Sequence, residues 1–344
     1  KEIFHFFEVK QTPIFADVTS GLLDYLHVES MFNDYDRDVL LKQKYSTQGP
    51  ALAVGDVNGD GLEDIYLGGA AGQIKKLFIQ KPGGKFIDSP QADFSLDQTT
   101  ENTDAIFFDA DKDGDLDLLI GHAGYRVAND VKSSMYLYEN QSGTFQFKTA
   151  DYLGLGVSES LTDLVLQVQG NQMLVVGQSA EGSKVFYLSK QQIARVSLVL
   201  NPGEIPFMSP WGNLVITRTG RIQSAANADW GQLSKESWQV RSCQFADMDG
   251  DGTAEFIGID LEGNWHIGNY DVLTNLISWR TADFQGFTVG RNARLSVADF
   301  NADGRQDLVV GTGAGGIYLL ENKSNSPVWD AMMEQTLQVW PNPH

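Results

Sequence analysis

Short apolar runs recur along the chain, each closed by a polar turn rich in Gly, Asn and Asp. Ala51-Leu52-Ala53-Val54 precedes a polar stretch and Ile65-Tyr66-Leu67 follows it. A turn through Gly68-Gly69-Ala70-Ala71-Gly72 leads to Lys76-Leu77-Phe78-Ile79-Gln80, and a Gly-Gly turn leads on to Phe86. Runs of this length, rich in β-branched and aromatic residues, predict strands. The order then repeats. Ala105-Ile106-Phe107-Phe108, Leu118-Leu119-Ile120-Gly121, Met135-Tyr136-Leu137-Tyr138-Glu139-Asn140 and Gly143-Thr144-Phe145 make a second unit. Phe256-Ile257-Gly258 belongs to a later one, and Leu308-Val309-Val310-Gly311 with Ile317-Tyr318-Leu319-Leu320-Glu321-Asn322 to the last.

Four of these units carry the same nine-residue polar loop between their first two runs. The first is Asp56-Val57-Asn58-Gly59-Asp60-Gly61-Leu62-Glu63-Asp64, and the others begin at Asp109, Asp247 and Asp299. Neighbouring loops begin 53 residues apart in the first pair and 52 in the second, while 138 separate the second from the third. That gap holds two units without the loop. Residues 164–177 form two apolar runs around a short turn, with 185–188 after them, and residues 211–217 are followed by 219–222. Six units of this size, each of about four short strands, predict an all-β propeller with four-stranded blades. Seven blades is the alternative if residues 1–50 and the C-terminus build another. Residues 1–50 form an N-terminal segment in which residues 3–7 and 14–18 read as strands, the latter able to complete the last blade. Residues 21–44 are partly helical in pattern, with Val39-Leu40-Leu41 as their buried patch. Residues 51–322 hold the repeats, and 323–344 form a C-terminal segment.

The loops carry the candidate chemistry. Oxygen-bearing side chains alternate at positions one, three and five and close at nine, around a glycine at six. That arrangement suits a hard cation with many oxygen ligands, above all Ca²⁺. The expected ligand positions are Asp56, Asn58, Asp60, Leu62 and Asp64; Asp109, Asp111, Asp113, Asp115 and Asp117; Asp247, Asp249, Asp251, Thr253 and Glu255; and Asp299, Asn301, Asp303, Arg305 and Asp307. Position seven is expected to offer its backbone carbonyl, so its side chain is free to vary. Position twelve of an EF-hand is a bidentate Glu; here it is Leu67, Ile120, Gly258 or Val310. These are therefore expected to be β-hairpin cation loops, holding about four structural Ca²⁺.

Charge and composition fit this reading. The formal charge is −20, and sixteen of the forty-five acidic residues lie in the four loops. Four divalent ions would bring the formal charge from −20 to −12. So acidic a chain is not expected to bind nucleic acid, which needs a basic face. No run of eighteen apolar residues predicts a membrane-crossing helix. The single cysteine, Cys243, excludes an intrachain disulfide framework. Calcium at extracellular concentration fills weak sites, so a secreted or cell-surface location is expected. A chain opening at Lys1 is expected to be a processed form.

The pattern A-x-x-D-x-N-x-D-G-x-x-D-[IL]-x-x-G, followed by a G-A-x-G turn, resembles the FG-GAP/VCBS repeats. Those form the ligand-binding propeller of integrin α subunits and of many bacterial surface proteins. Residues 45–56, with Phe15-Ala16-Asp17-Val18-Thr19 upstream, resemble a Bacteroidota VCBS subgroup related to cartilage acidic protein. Leu337-Gln338-Val339-Trp340-Pro341-Asn342-Pro343 resembles the opening of a type IX secretion sorting domain. The resemblance implies a calcium-binding adhesion module for an extracellular glycan or protein, monomeric or part of a larger surface protein. In a Gram-negative cell its place is the outer-membrane surface or periplasm. The alternative is a polysaccharide lyase or hydrolase on the same scaffold. No nucleophile–base set supports it: His5, His27, His122, His266 and His344 are scattered, and His122 reads as a turn residue. Cys243 reads as a small buried residue. All seven tryptophans lie after residue 210. Trp230 and Trp265, beside hairpin signals, are the candidates for an exposed ligand-binding face.

Overall fold

The computed structural model describes residues 15–27, 34–37, 49–96, 98, 101–122, 135–149, 240–271, 276–280 and 289–323, and eight backbone strands between residues 163 and 232. Its strands, in chain order, begin with β1 (Phe15–Asp17). The first sheet is β2 (Leu52–Gly55), β3 (Asp64–Leu67), β4 (Lys76–Gln80) and β5 (Phe86–Asp88). The second is β6 (Asn102–Phe108), β7 (Asp117–His122), β8 (Met135–Gln141) and β9 (Thr144–Thr149). The third is β10 (Asp163–Gln169), β11 (Gln172–Ser179), β12 (Gly182–Ser189) and β13 (Gln192–Ala194). The fourth is β14 (Ile205–Ser209), β15 (Gly212–Ile216), β16 (Arg221–Ser224) and β17 (Asp229–Gln232). The fifth is β18 (Val240–Ala246), β19 (Glu255–Asp260), β20 (Trp265–Asp271) and β21 (Leu276–Arg280). The sixth is β22 (Arg294–Ala298), β23 (Asp307–Gly311), β24 (Ile317–Asn322) and, on its outer edge, β1 from the other end of the chain.

Every pairing is antiparallel, and each sheet is a short meander, as turn-joined apolar runs dictate. The first strand of each sheet lies beside that of the next: β2 by β6, β6 by β10, β10 by β14, β14 by β18, β18 by β22, and β22 by β2. The result is a β-propeller of four-stranded blades. In the fourth sheet the repeat begins earlier than the sequence suggests, because Ile205–Ser209 pairs with Gly212–Ile216. Short helices stand at Thr19–Leu22 and Asp34–Arg37. The expected strand at 3–7, the patch at 39–41 and the C-terminal stretch lie outside the described residues.

In the first, second, fifth and sixth blades the second strand is covered on both faces. All residues of β3, β7, β19 and β23 are buried. That is why they read as unbroken apolar runs and do not alternate. Between the first two blades Tyr66, Leu77, Phe94, Leu118, Tyr138 and Phe145 form one core. Phe94 comes from the link between β5 and β6 and meets Tyr66 and Tyr138 edge-on, with ring centroids at 5.8 and 5.4 Å. Leu52, Ile65, Phe78, Val309 and Leu319 join the sixth blade to the first, and Ile257, Ile259, Trp265, Leu295 and Val310 the fifth to the sixth. Polar groups meet near the start of the inner strands. Arg294 of β22 reaches past β2 to Asp104 of β6 in a buried ion pair at 3.3 Å.

Candidate metal centres

Each acidic loop joins the first and second strands of its blade, so all four occupy equivalent places in the ring. The loop is built by its own carboxylates. Asp56 accepts from the backbone N–H of Gly59 (2.8 Å), Asp60 (3.1 Å) and Gly61 (2.8 Å), and Asp60 accepts from Leu62 at 2.9 Å. Asp247 does the same for Gly250, Asp251 and Gly252 at 2.7, 3.1 and 2.9 Å. These side-chain-to-backbone bonds wind the loop so that alternate side chains converge. Position six has φ between +83° and +99° in the four loops, at Gly61, Gly114, Gly252 and Gly304. Only glycine takes that conformation without strain.

Position nine lies on the second strand and is wholly buried at Asp64, Asp117, Glu255 and Asp307. Asp64 accepts from Val57 N–H at 3.1 Å and from Gln80 N–H at 2.8 Å. Asp117 accepts from Ala110 at 2.7 Å and Asn140 at 2.8 Å, and Glu255 from Met248 at 2.8 Å. Asp307 accepts from Asn322 at 2.7 Å, while its Oδ2 is buried with no hydrogen-bond partner among the described residues. A buried carboxylate oxygen left in that state is strongly unfavourable without a cation.

The donor set fits calcium. Ligand oxygens of Asp109, Asp111 and Asp117 lie within 4.8 Å of one another, and so do those of Asp247, Asp249 and Asp251. Oxygens around one Ca²⁺, each about 2.3–2.6 Å from it, span such distances. Burial pushes the position-nine carboxyls up. Backbone N–H bonds oppose that shift and neighbouring carboxylates add to it, leaving Asp64 and Asp117 at about 6 and Asp307 at about 7. Crowded anions of this kind are relieved by a bound cation. The first and fourth loops have an amide at position three, Asn58 and Asn301. In the fourth, Asn301 Nδ2 donates to Asp303 at 3.2 Å, and the guanidinium of Arg305 pairs with Asp303. That loop carries part of its own neutralising charge.

Sequence reasoning missed two features of these loops. Position two is apolar in all four copies, and Val57, Met248 and Phe300 plug into the cores between blades with 1–2% exposure. Buried amides on the third strand, Gln80, Asn140 and Asn322, contact the loops. The repeated Glu-Asn at 139–140 and 321–322 was the signal for two of them.

Other candidates are placed differently from expectation. Trp265 is 8% exposed and belongs to the core of the fifth and sixth blades, so it is no exposed ligand platform. It opens strand β20, and the turn before it is tied down by Asp260, which accepts from Glu262 and Asn264 N–H at 2.9 Å each. Trp230 lies in β17, and its side chain lies outside the described residues. His122 is the last residue of β7, not a turn residue. It is fully buried, with Nδ1 3.2 Å from Asn102 and its ring 4.2 Å from that of Tyr136. His266 is buried against Asp260 at 3.1 Å. Burial pushes the Asp260 carboxyl up, but hydrogen bonds from His266 and Asn264 outweigh it and hold the group at about 2. Half-buried Cys243 has its thiol pushed up to about 12 by desolvation, which makes it a poor nucleophile.

Among solved structures, the Dos1 propeller is similar over 81% of this chain and 68% of its own, with 12% identity and a TM-score of 0.43. BBS1N, solved in complex with ARL6DN, matches over 80% of this chain and 93% of its own, with 12% identity and a TM-score of 0.45. A mutant of AofleA from Arthrobotrys oligospora matches over 80% and 84%, with 11% identity and a TM-score of 0.49. No curated protein sequence matches the chain. Residues 45–120 match the FG-GAP-like repeat family and residues 292–329 the FG-GAP repeat family. The chain therefore carries FG-GAP repeats, in the first, second and last blades of its propeller.

Proposed function

We propose that this protein is a calcium-stapled propeller that serves as a binding or adhesion module for an extracellular glycan or protein. The observations that carry the calcium reading are the converging carboxylates in the loops of the second and fifth blades and, in the loop of the sixth, the buried Oδ2 of Asp307, which has no hydrogen-bond partner among the described residues. The metal's role is structural. Position nine ties the loop to the second strand, and the same carboxylate holds the third strand in the first, second and sixth blades. Filling the loop fixes the blade, while the loop ligands leave little room for a substrate. The six sheets, with β22 returning to β2, support a single ring of six blades. Such a disc presents variable loops on rigid strands, an arrangement suited to recognition. A need for calcium fits a location outside the cell or on its surface, where the ion is abundant. Binding, not catalysis, is its activity.

Calorimetric titration of the chelator-stripped protein tests the metal reading. Uptake of about four Ca²⁺ is expected, with each site adding about 2.7 kcal/mol of stability at calcium a hundredfold above its Kd. Absence of both heat and thermal shift would overturn it. A glycan and matrix-protein binding screen, run with calcium and with chelator, tests the module. Binding lost on chelation is expected, and a screen blank under both conditions sinks the recognition role.

A further inference from the structure

The four acidic loops are contiguous in the ring, on the fifth, sixth, first and second blades. One buried amide stands between each adjacent pair. Asn140 of the second blade is fully buried, and its Nδ2 donates to two carbonyls. One is Leu116, position eight of its own loop, at 3.1 Å; the other is Val57, position two of the first blade's loop, at 2.7 Å. Its backbone N–H holds Asp117. Asn322 of the sixth blade repeats the arrangement, donating to Gln306 at 2.9 Å and to Met248 of the fifth blade's loop at 2.7 Å, with its N–H on Asp307. Gln80 of the first blade sends Nε2 to the Phe300 carbonyl of the sixth blade's loop and its N–H to Asp64.

The placement follows the loops. In the fifth blade the matching residue follows Asn269, which faces Glu255, and it is Tyr270. The blade behind it, the fourth, joins its first two strands by two residues between Ser209 and Gly212. Among the four blades that carry an acidic loop, the amide stands in the three whose preceding neighbour also carries one, and not in the fifth, whose preceding neighbour lacks it.

We propose that Gln80, Asn140 and Asn322 are positioning residues that latch each acidic loop to the next, so that the four fill with calcium cooperatively as one arc. The inference rests on the calcium reading above. Position two lies between ligand positions one and three, and its N–H donates to the position-nine carboxylate in the first and third loops. Drawing those ligands onto a cation fixes the peptides on both sides of position two, and with them the carbonyl that the neighbouring amide holds. An amide committed to two loops cannot release one without leaving a buried carbonyl unpaired. Ordering one loop therefore makes it easier to order the next.

Calcium titration of protein isotope-labelled only at glycine reads the loops one by one, through the position-six amides of Gly61, Gly114, Gly252 and Gly304. In the unmodified chain the four signals are expected to move over one calcium range, more steeply than independent sites. In Asn140→Leu, the Gly61 and Gly114 signals should separate and their midpoints rise about fivefold. Gly252 and Gly304 should still move together. Gln80→Met removes a donor at nearly constant volume. It is the milder cut if Asn140→Leu fails to fold, and it should separate Gly304 from Gly61. Independent titration in the unmodified chain, or unchanged steepness in a folded variant, would overturn the coupling alone. If no glycine signal responds to calcium, the metal reading falls and the latch falls with it.

Discussion

At position four of each acidic loop the backbone is left-handed: φ is +74° at Gly59, +72° at Lys112, +77° at Gly250 and +56° at Ala302. Two copies therefore hold a side chain where it is sterically disfavoured by about 1–2 kcal/mol. Glycine's greater freedom in the unfolded chain offsets part of the gain. Lys112→Gly and Ala302→Gly should each stabilise the protein by roughly 0.5 kcal/mol, measured by denaturant unfolding at saturating calcium. A loss in both variants would refute the strain. Lys75 is the other informative residue. It is 3% exposed, with Nζ 5.4 Å from the Phe94 ring centre and 4.8 Å from that of Tyr138. Desolvation lowers its pKa from 10.5 to about 7. Between those values the unfolded chain binds more protons, so stability rises with pH through that window, by at most about 1.4 kcal/mol per pH unit. Lys75→Met should remove that slope and gain most below pH 7. Parallel pH–stability curves for the two proteins would count against this account.

At the scale of the element, the hairpin that ends in β20 separates core from surface. Gly263-Asn264 marks a turn, and a tryptophan beside a turn reads as an exposed platform. Alternation along β20 instead directs Trp265 inward with Ile267. Trp265→Ala should therefore cost about 3–5 kcal/mol in a thermal or denaturant melt. A variant of unchanged stability would return Trp265 to the surface. The acidic loop was far easier to read. Four copies fix the oxygen-bearing positions and free the seventh, because a cation selects by atom type and spacing. What the copies do not reveal is the apolar anchor at position two, whose partner lies on another blade.

For the whole molecule, closure depends on a contact between chain ends. Phe15–Asp17 pairs with Ile317–Asn322 in the register Phe15↔Asn322. Asp17 then accepts from the Thr19 hydroxyl at 2.6 Å, and that hydroxyl oxygen accepts from Leu319 N–H at 2.8 Å. Thr19 thereby clips the segment that follows β1 onto β24. Thr19→Val keeps the shape and removes both bonds, so it should lower stability by about 1–2 kcal/mol. Native-state hydrogen exchange should show faster exchange at Leu319 and Leu320 than in the second blade. Equal protection in the variant and the parent would mean that closure does not rely on this clip.

The sequence by itself determined the strand-rich repeat, the four acidic loops and the oxygen-rich donor set they present. Those features are local: apolar run length, turn residues and oxygen spacing all lie within about fifty residues of chain. It left the burial of His122 and Trp265 and the Asp104–Arg294 pair undetermined. Each depends on which blade lies next to which, and no single unit carries that information. Only the tertiary structure brought Asn140 to the carbonyl of Val57, 83 residues away, and Asn322 to that of Met248, 74 residues away. An amide on a strand end is unremarkable until the ring places a neighbour's loop against it.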